Sequence, residues 1–232
     1  MFGGKNKAVT FSFDDGITQD LRIIKMLDKY GLKGTFNVNS GLLGQPGTLN
    51  RNYKTVSHNK LRPGEVRKIS LNHEVAAHTL THCNLTELNE EQIIYQVEQD
   101  RLNLCNICEC DISGLAYACG GINNDDRVAD IIKTKTGIKY ARTITSTGKF
   151  SVQKNLFRFN PTTHFLETEN TFKLANKFIE LNGNEPLILY IWGHGFELDA
   201  YDLWDDFERL CKLLRAHNDI FFGTNSEVLT GC

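Results

Sequence analysis

Apolar and polar residues alternate along "AVTFSF", Ala8 to Phe13, and this period of two predicts a half-buried β-strand. The apolar positions that follow, Leu21, Ile23, Ile24 and Leu27, lie three to four residues apart in "TQDLRIIKMLDKYG" and predict an amphipathic helix closed by Gly31. "GTFNVN" is the next strand. Clusters of Gly, Pro and Asn between Ser40 and Asn59 then predict a long loop, of the kind that serves as a functional lid or rim. A short helix near "PGEVRKIS" and a short strand in "HEVAAHT" follow. The next helix opens on a capping box, Asn89 with Gln92, and presents Ile93, Val97 and Leu104 on one face. The alternation continues through strand "GLAYA", helix "NDDRVADIIKTKTG", strand "KYARTIT", helix "ENTFKLANKFIELNG", strand "PLILYIWGH", helix "AYDLWDDFERLCKLLRAH" and a last strand, "IFFGT". About seven strand–helix repeats call for parallel strands covered by helices, in a barrel or an open doubly wound sheet.

Both architectures gather reactive groups at the carboxyl ends of their strands. Here those ends carry Asp14 and Asp15 after the first strand, His78 and His82 after the third, Ala118 to Gly121 after the fourth, and His194 after the sixth, with Arg142 inside the fifth. Adjacent carboxylates repel and resist desolvation without a positive partner. In "HTLTH", His78 and His82 are spaced to share one helical turn, with Cβ atoms about 5–6 Å apart, so both can ligate one metal. Asp15 is the natural third ligand, and two His with one carboxylate leave coordination positions open, as a catalytic site requires. Asp14 then stays free as a base. Successive strand residues point to opposite faces, so the two aspartates would not duplicate each other's task. Taken singly, an H-x-x-x-H pair also reads as surface or core histidines, and Asp-Asp as a solvated turn or helix cap.

Charge and composition narrow the partners. With 26 Lys plus Arg against 28 Asp plus Glu, there is no basic surplus to draw the chain to nucleic acid or anionic lipid. No apolar run is long enough for a bilayer, and "MFGGKNKAVTF" lacks a signal-peptide core, so a cytoplasmic location is expected. Seven cysteines, an odd number, favour reduced thiols over a disulfide framework. Cys105, Cys108 and Cys110 form C-x-x-C-x-C without a recognisable fourth ligand, and read as small side chains at a helix end. A chain of 232 residues with 41% hydrophobic content and no internal repeat or linker suits one domain over residues 1–232, its oligomeric state left open.

"TFSFDDG" followed by "NHEVAAHTLTHCNL" resembles the first two motifs of the polysaccharide deacetylases, carbohydrate esterase family four, and the likeness runs from about Ala8 to Leu229. That resemblance implies an α/β fold, a distorted (β/α) barrel of about seven parallel strands. It implies hydrolysis of an N-acetyl, or sometimes O-acetyl, group on a sugar. It also implies a divalent metal, commonly Zn2+ with Co2+ or another ion as alternatives, held by Asp15, His78 and His82, with Asp14 as general base. The family's R-x-P-[YF]-G segment stands here as "AYACG", with Ala116 in place of the arginine and Cys119 in place of the aromatic. The Cys119 N–H can still serve an oxyanion, since that task needs no side chain. Arg142, one strand on, is a candidate substitute for the missing guanidinium, with a barrel-end salt bridge as the other possibility. The family's D-x-x-D-W segment is not recognisable between Thr143 and Pro161.

"LYIWGHGFEL" resembles the family's last motif, with His194 as the acid that protonates the leaving amine. Glu197 or Asp199 is expected to orient it, and Trp192 either walls the acyl pocket or packs in the core. His58, His73, His164 and His217 have no partner that spacing identifies. Three rivals stay open: hydrolysis of another small amide or cyclic imide, a silent sugar-binding relic, and Cys119 as a thiol nucleophile, which lacks a histidine placed beside it by spacing.

Overall fold

Every residue of the first strand, β1 (Lys7–Asp14), is buried, which a strand with one polar face achieves only where that face is enclosed too. The computed structural model of the chain describes residues 2–231. After β1 come α1 (Asp20–Lys29) and β2 (Thr35–Val38), then a hairpin of β3 (Thr48–Arg51) and β4 (Lys54–Ser57). Next are α2 (Pro63–Ile69), β5 (Glu74–Ala77), α3 (Glu90–Cys108), β6 (Gly114–Ala116), α4 (Asp126–Lys135) and β7 (Tyr140–Arg142). The chain continues through β8 (Thr163–His164), α5 (Thr168–Glu180), β9 (Leu187–His194), α6 (Gly195–Ala200), α7 (Trp204–Arg215), β10 (Ile220–Phe222) and α8 (Asn225–Leu229).

The main sheet is parallel throughout, in the order β7-β6-β5-β2-β1-β9-β8, with β10 beside the start of β1. It curls into a distorted barrel. Phe159 exchanges hydrogen bonds with β7, donating to the Ala141 carbonyl and accepting from the Thr143 N–H, both at 2.9 Å. A few residues later β8 lies on β9, so this short segment spans the gap between the two ends of the sheet. Among the described residues, no helix is long and apolar enough to cross a membrane.

The alternation of β1 separates two interiors. Phe11 and Phe13 face outward, where α7 packs Phe207 edge-on against both rings at 5.8 and 5.6 Å, and against Phe165 at 5.4 Å. Thr10, Ser12 and Asp14 face the barrel interior: Thr10 donates to Asn225 Oδ1 at 2.8 Å and Ser12 accepts from Asn37 Nδ2 at 2.8 Å. Ala8 on β1 and Ile188, Tyr190 and Trp192 on β9 join Phe159 in a separate inner cluster. The short α8 plugs the amino-terminal end, where Glu74 accepts from Thr35, Tyr140 and the Ser226 N–H at 2.7, 2.8 and 3.0 Å.

The sequence reads 40–59 as loop, and part of it is instead the antiparallel hairpin, with Leu49 opposite Val56. Its exposed β3 lacks a run of alternating apolar residues, the signal by which a strand is found. The two-residue β8 and the helices α6 and α8 are too short to show a period.

Phe207→Ala should remove the ring on which Phe11, Phe13 and Phe165 converge and lower unfolding free energy by about 3–5 kcal/mol. Urea unfolding monitored by circular dichroism measures it; a loss below about 1 kcal/mol would show that α7 is not a principal outer prop.

Candidate active site

A cavity of about 620 Å³ opens at the carboxyl ends of the strands, and Asp14, Asp15, His78, His82 and His194 all reach it. Strand alternation alone would send Asp14 and Asp15 to opposite faces. A φ of 83° at Asp15 ends the strand and turns its carboxylate into the same cavity as Asp14, which corrects the expectation of opposed aspartates. Gly16 continues the turn at φ 57°, and a Cβ there would lie 2.9 Å from Val38 Cγ1, so only glycine fits.

Asp14 is fully enclosed. Arg142 Nη2 donates to both carboxylate oxygens, at 2.5 Å to Oδ2 and at a shorter distance to Oδ1, and Asn37 Nδ2 donates to Oδ1 at 2.8 Å. Arg142 lies opposite Ala116 in the β6–β7 ladder, so its guanidinium enters the barrel one strand away from Ala116. Its guanidinium carbon sits 4.6 Å from the Trp192 ring centroid. Burial by itself raises the Asp14 pKa, but Arg142, His78 and His194 outweigh it and hold the carboxyl below its usual range.

Asp15 faces a ring of nitrogen groups. His58 Nε2 lies 3.0 Å from Oδ2, while His82 Nε2 and His78 Nε2 lie 3.2 and 3.7 Å from Oδ1. Lys60 donates to the Asp15 carbonyl at 2.8 Å. Against burial, the bonds from His58 and His82 hold this carboxyl well below the ordinary carboxylate value.

His78 and His82 do not share a helical turn. β5 stops at Ala77, and left-handed residues at Thr79 (φ 64°) and His82 (φ 57°) fold the intervening loop back, placing the two rings 5.1 Å apart. Asp100 accepts from the His78 N–H at 2.9 Å and the Ser40 N–H at 2.7 Å, and Asn39 Nδ2 donates to the His78 and Thr79 carbonyls at 2.5 and 2.9 Å. His78 Nδ1 lies 2.8 Å from the Ala116 carbonyl, which can only accept, so Nδ1 carries the proton and Nε2 offers its lone pair. Burial pushes the His78 pKa down to about 4, so the ring is neutral at pH 7. One ligand atom each from Asp15, His78 and His82 lie within 4.8 Å of one another. A carboxylate beside two imidazoles, one of them fixed as the free Nε2 tautomer, is a donor set suited to a divalent ion of borderline softness.

On the strand next to β1, His194 ends β9, paired in register with Asp14. Its N–H donates to Glu197 Oε2 at 2.9 Å, its Nδ1 lies 3.2 Å from Oε1, and His164 Nε2 lies 3.0 Å from Oε2. Burial opposes protonation of His194, but Glu197, Asp14 and Asp15 raise its pKa to about 9. Asp199 is not its partner: that carboxylate accepts from Trp204 Nε1 at 2.8 Å and Gln19 Nε2 at 2.9 Å. Trp192 is mostly buried yet lines the cavity, stacked on His164 with centroids 4.2 Å apart.

Cys119 is left-handed at φ 69°, in a turn pinned by Asn123 Nδ2, which donates to the Tyr117, Ala118 and Cys119 carbonyls at 3.3, 3.1 and 2.8 Å. The fold, unlike the spacing, does set a histidine beside the thiol: His82 Nδ1 is 3.9 Å from Sγ. Burial nevertheless raises the Cys119 pKa, which keeps the thiol protonated and works against a nucleophilic role.

The family model described as polysaccharide deacetylase matches residues 3–141. The chain belongs to the polysaccharide deacetylase family. It is 29% identical over 119 residues to a bifunctional xylanase/deacetylase of Pseudobutyrivibrio xylanivorans, a match covering 51% of this chain and 17% of that protein. The chain thus spans about a sixth of that curated relative's length. A family 4 acetyl xylan esterase from Clostridium thermocellum, solved with a cobalt ion, superposes with a TM-score of 0.59 at 16% identity, covering 97% of this chain and 91% of that one. A family 4 carbohydrate esterase from Streptomyces lividans, solved with acetate, gives 0.57 at 14% identity and covers 95% and 93%. Both share the fold of this deacetylase-family chain. The family match ends one residue before Arg142, so the placement of Arg142, His164, His194 and Glu197 rests on geometry.

Sequence reasoning missed four residues that this family member brings to its site. Asn37 was detectable, because Thr35 and Asn37 alternate with Phe36 and Val38 as the polar face of β1 does. His58, Lys60 and His164 sit beyond short or irregular segments whose direction no pattern reveals.

Arg142→Met should leave the Asp14 carboxylate buried without its cation and lower stability at pH 7 by about 3–5 kcal/mol. In the wild type the depressed Asp14 pKa contributes stability that is lost as pH falls through the folded value; in the variant, burial raises that pKa and acid relieves the penalty. The difference between the two proteins should therefore shrink from pH 7 toward pH 3 in urea unfolding. An unchanging difference would remove Asp14 from the account.

Proposed function

We propose that this chain is a metal-dependent hydrolase that removes an N-acetyl group from an amino sugar or oligosaccharide. The observation that carries the proposal is one cavity in which an ionised, Arg-held Asp14 stands beside the Asp15–His78–His82 group and faces a protonated His194. Asp15, His78 and His82 would hold a divalent cation, Zn2+ by donor preference, with Co2+ also suited. Such an ion, when bound, polarises the acyl carbonyl and makes water more acidic.

Asp14 takes the proton of the attacking water, and its depressed pKa keeps it ionised for that task. Arg142 and Asn37 position its oxygens and prevent rotation away from the cavity. The Cys119 turn is fixed by Asn123, so that its N–H can serve the oxyanion of the tetrahedral species without reorganising. His194 gives its proton to the departing nitrogen, and Glu197 holds the ring protonated at neutral pH. Glu197 is the carboxylate that orients the His194 ring. Acetate and a free amine leave.

Two measurements test this function. Acetate release from N-acetylated sugars should cease after chelation and return with zinc or cobalt, while Asp14→Asn should keep the metal and lose about 10²–10⁴-fold in turnover. Chelator-resistant activity, or near-normal turnover in the variant, would refute it. Because His194 must be protonated, kcat/KM should fall as pH rises through about 9, and Glu197→Gln should move that limb to lower pH. An unmoved limb would assign the acid elsewhere.

A further inference from the structure

A second group of ligating side chains lies on the other flank of the cavity. His164, at the end of β8, places Nε2 3.0 Å from Glu197 Oε2, and His194, at the end of β9, places Nδ1 3.2 Å from Glu197 Oε1. These ligand atoms lie within 4.8 Å of one another. One carboxylate therefore carries an imidazole nitrogen at each oxygen. His194 Nδ1 is buried and, despite its distance from Oε1, lacks a directed hydrogen bond. Two imidazole nitrogens and a carboxylate within that span are a donor set that one zinc-type ion can draw together.

The three donors are also held in place. The His164 ring is stacked on Trp192 at 4.2 Å, and the Glu197 carboxylate accepts from the His194 N–H at 2.9 Å. Both His194 and Glu197 also line the cavity, so the group borders it. We propose that His164, His194 and Glu197 form a second divalent-cation site, of zinc-type chemistry, distinct from Asp15, His78 and His82. Binding there engages Nδ1 of His194, so an ion at this site occupies the ring that the proposed reaction uses. On the function proposed above, on which this consequence rests, excess zinc inhibits by occupying this second group.

The test is metal stoichiometry, read independently of activity. Metal-free full-length protein is dialysed against buffered free zinc and its zinc content is measured by elemental analysis, with folding checked by circular dichroism. Wild type should bind two zinc ions per chain. His164→Ala and Glu197→Gln, the latter preserving size should the former fail to fold, should each bind one, with affinity for the second ion weakened about a hundredfold or more. An Asp15→Asn/His82→Ala double variant should also bind one, at the second site. Inhibition of acetate release by excess zinc should require at least about tenfold more metal in His164→Ala. A wild type that saturates at one ion, with the same affinity in His164→Ala, overturns the proposal, as does a folded His164→Ala or Glu197→Gln chain that still binds two. One ion lost in His164→Ala but kept in the double variant would sustain this site and sink the metal assignment to Asp15, His78 and His82.

Discussion

A carboxylate and a guanidinium, both sealed from water, meet inside the barrel at Asp14 and Arg142, and the rest of the site is arranged around that pair. Neither charge is tolerable there alone, because desolvation of an unpaired ion in a protein interior costs several kcal/mol. The pair in turn requires an inner wall that accepts polar groups. The strands provide it by alternation: the odd positions of β1 and β9 feed the apolar layer under the helices, and the even positions face the interior. Thr10, Ser12, Asn37 and Asn225 are hydrogen-bonded to one another there, so Asp14 continues a polar column instead of interrupting an apolar one.

From this pair the electrostatics divide the work between residues of one type. Asp14 is held by Arg142 and Asp15 by imidazoles, so two adjacent carboxylates ionise in different company. The histidines diverge further. Buried against a backbone carbonyl, His78 is neutral with a pKa near 4, whereas Glu197 keeps His194 charged with a pKa near 9. Groups of one chemical type are thus driven to different protonation states by their surroundings within a single cavity. The same Glu197 that lies beside His194 Nδ1 also meets His164, so one carboxylate serves two imidazoles on that flank.

Arg142 and Ala116 are paired across the β6–β7 ladder, and the Arg142 guanidinium reaches inward from β7 to Asp14 on β1, 128 positions earlier in the chain. The strand that roots the cation lies at one end of the sheet's path, and only the curl of the sheet brings it to β1.

Periodicity and strand-end chemistry were sufficient to read the alternation of parallel strands and helices, because regular elements repeat their hydrophobic pattern over many residues. The residues Asp14, Asp15, His78, His82, Arg142 and His194 were legible as well, since each stands at or near the carboxyl end of a recognisable strand. Left to tertiary structure were the left-handed turns that aim Asp15 and His82, the hairpin that brings His58 and Lys60 inward, and the choice of Glu197 over Asp199 beside His194. Those outcomes depend on backbone angles at single residues and on contacts such as those of His58 and Lys60 with Asp15, 43 and 45 positions apart, and neither leaves a periodic trace in the order of amino acids.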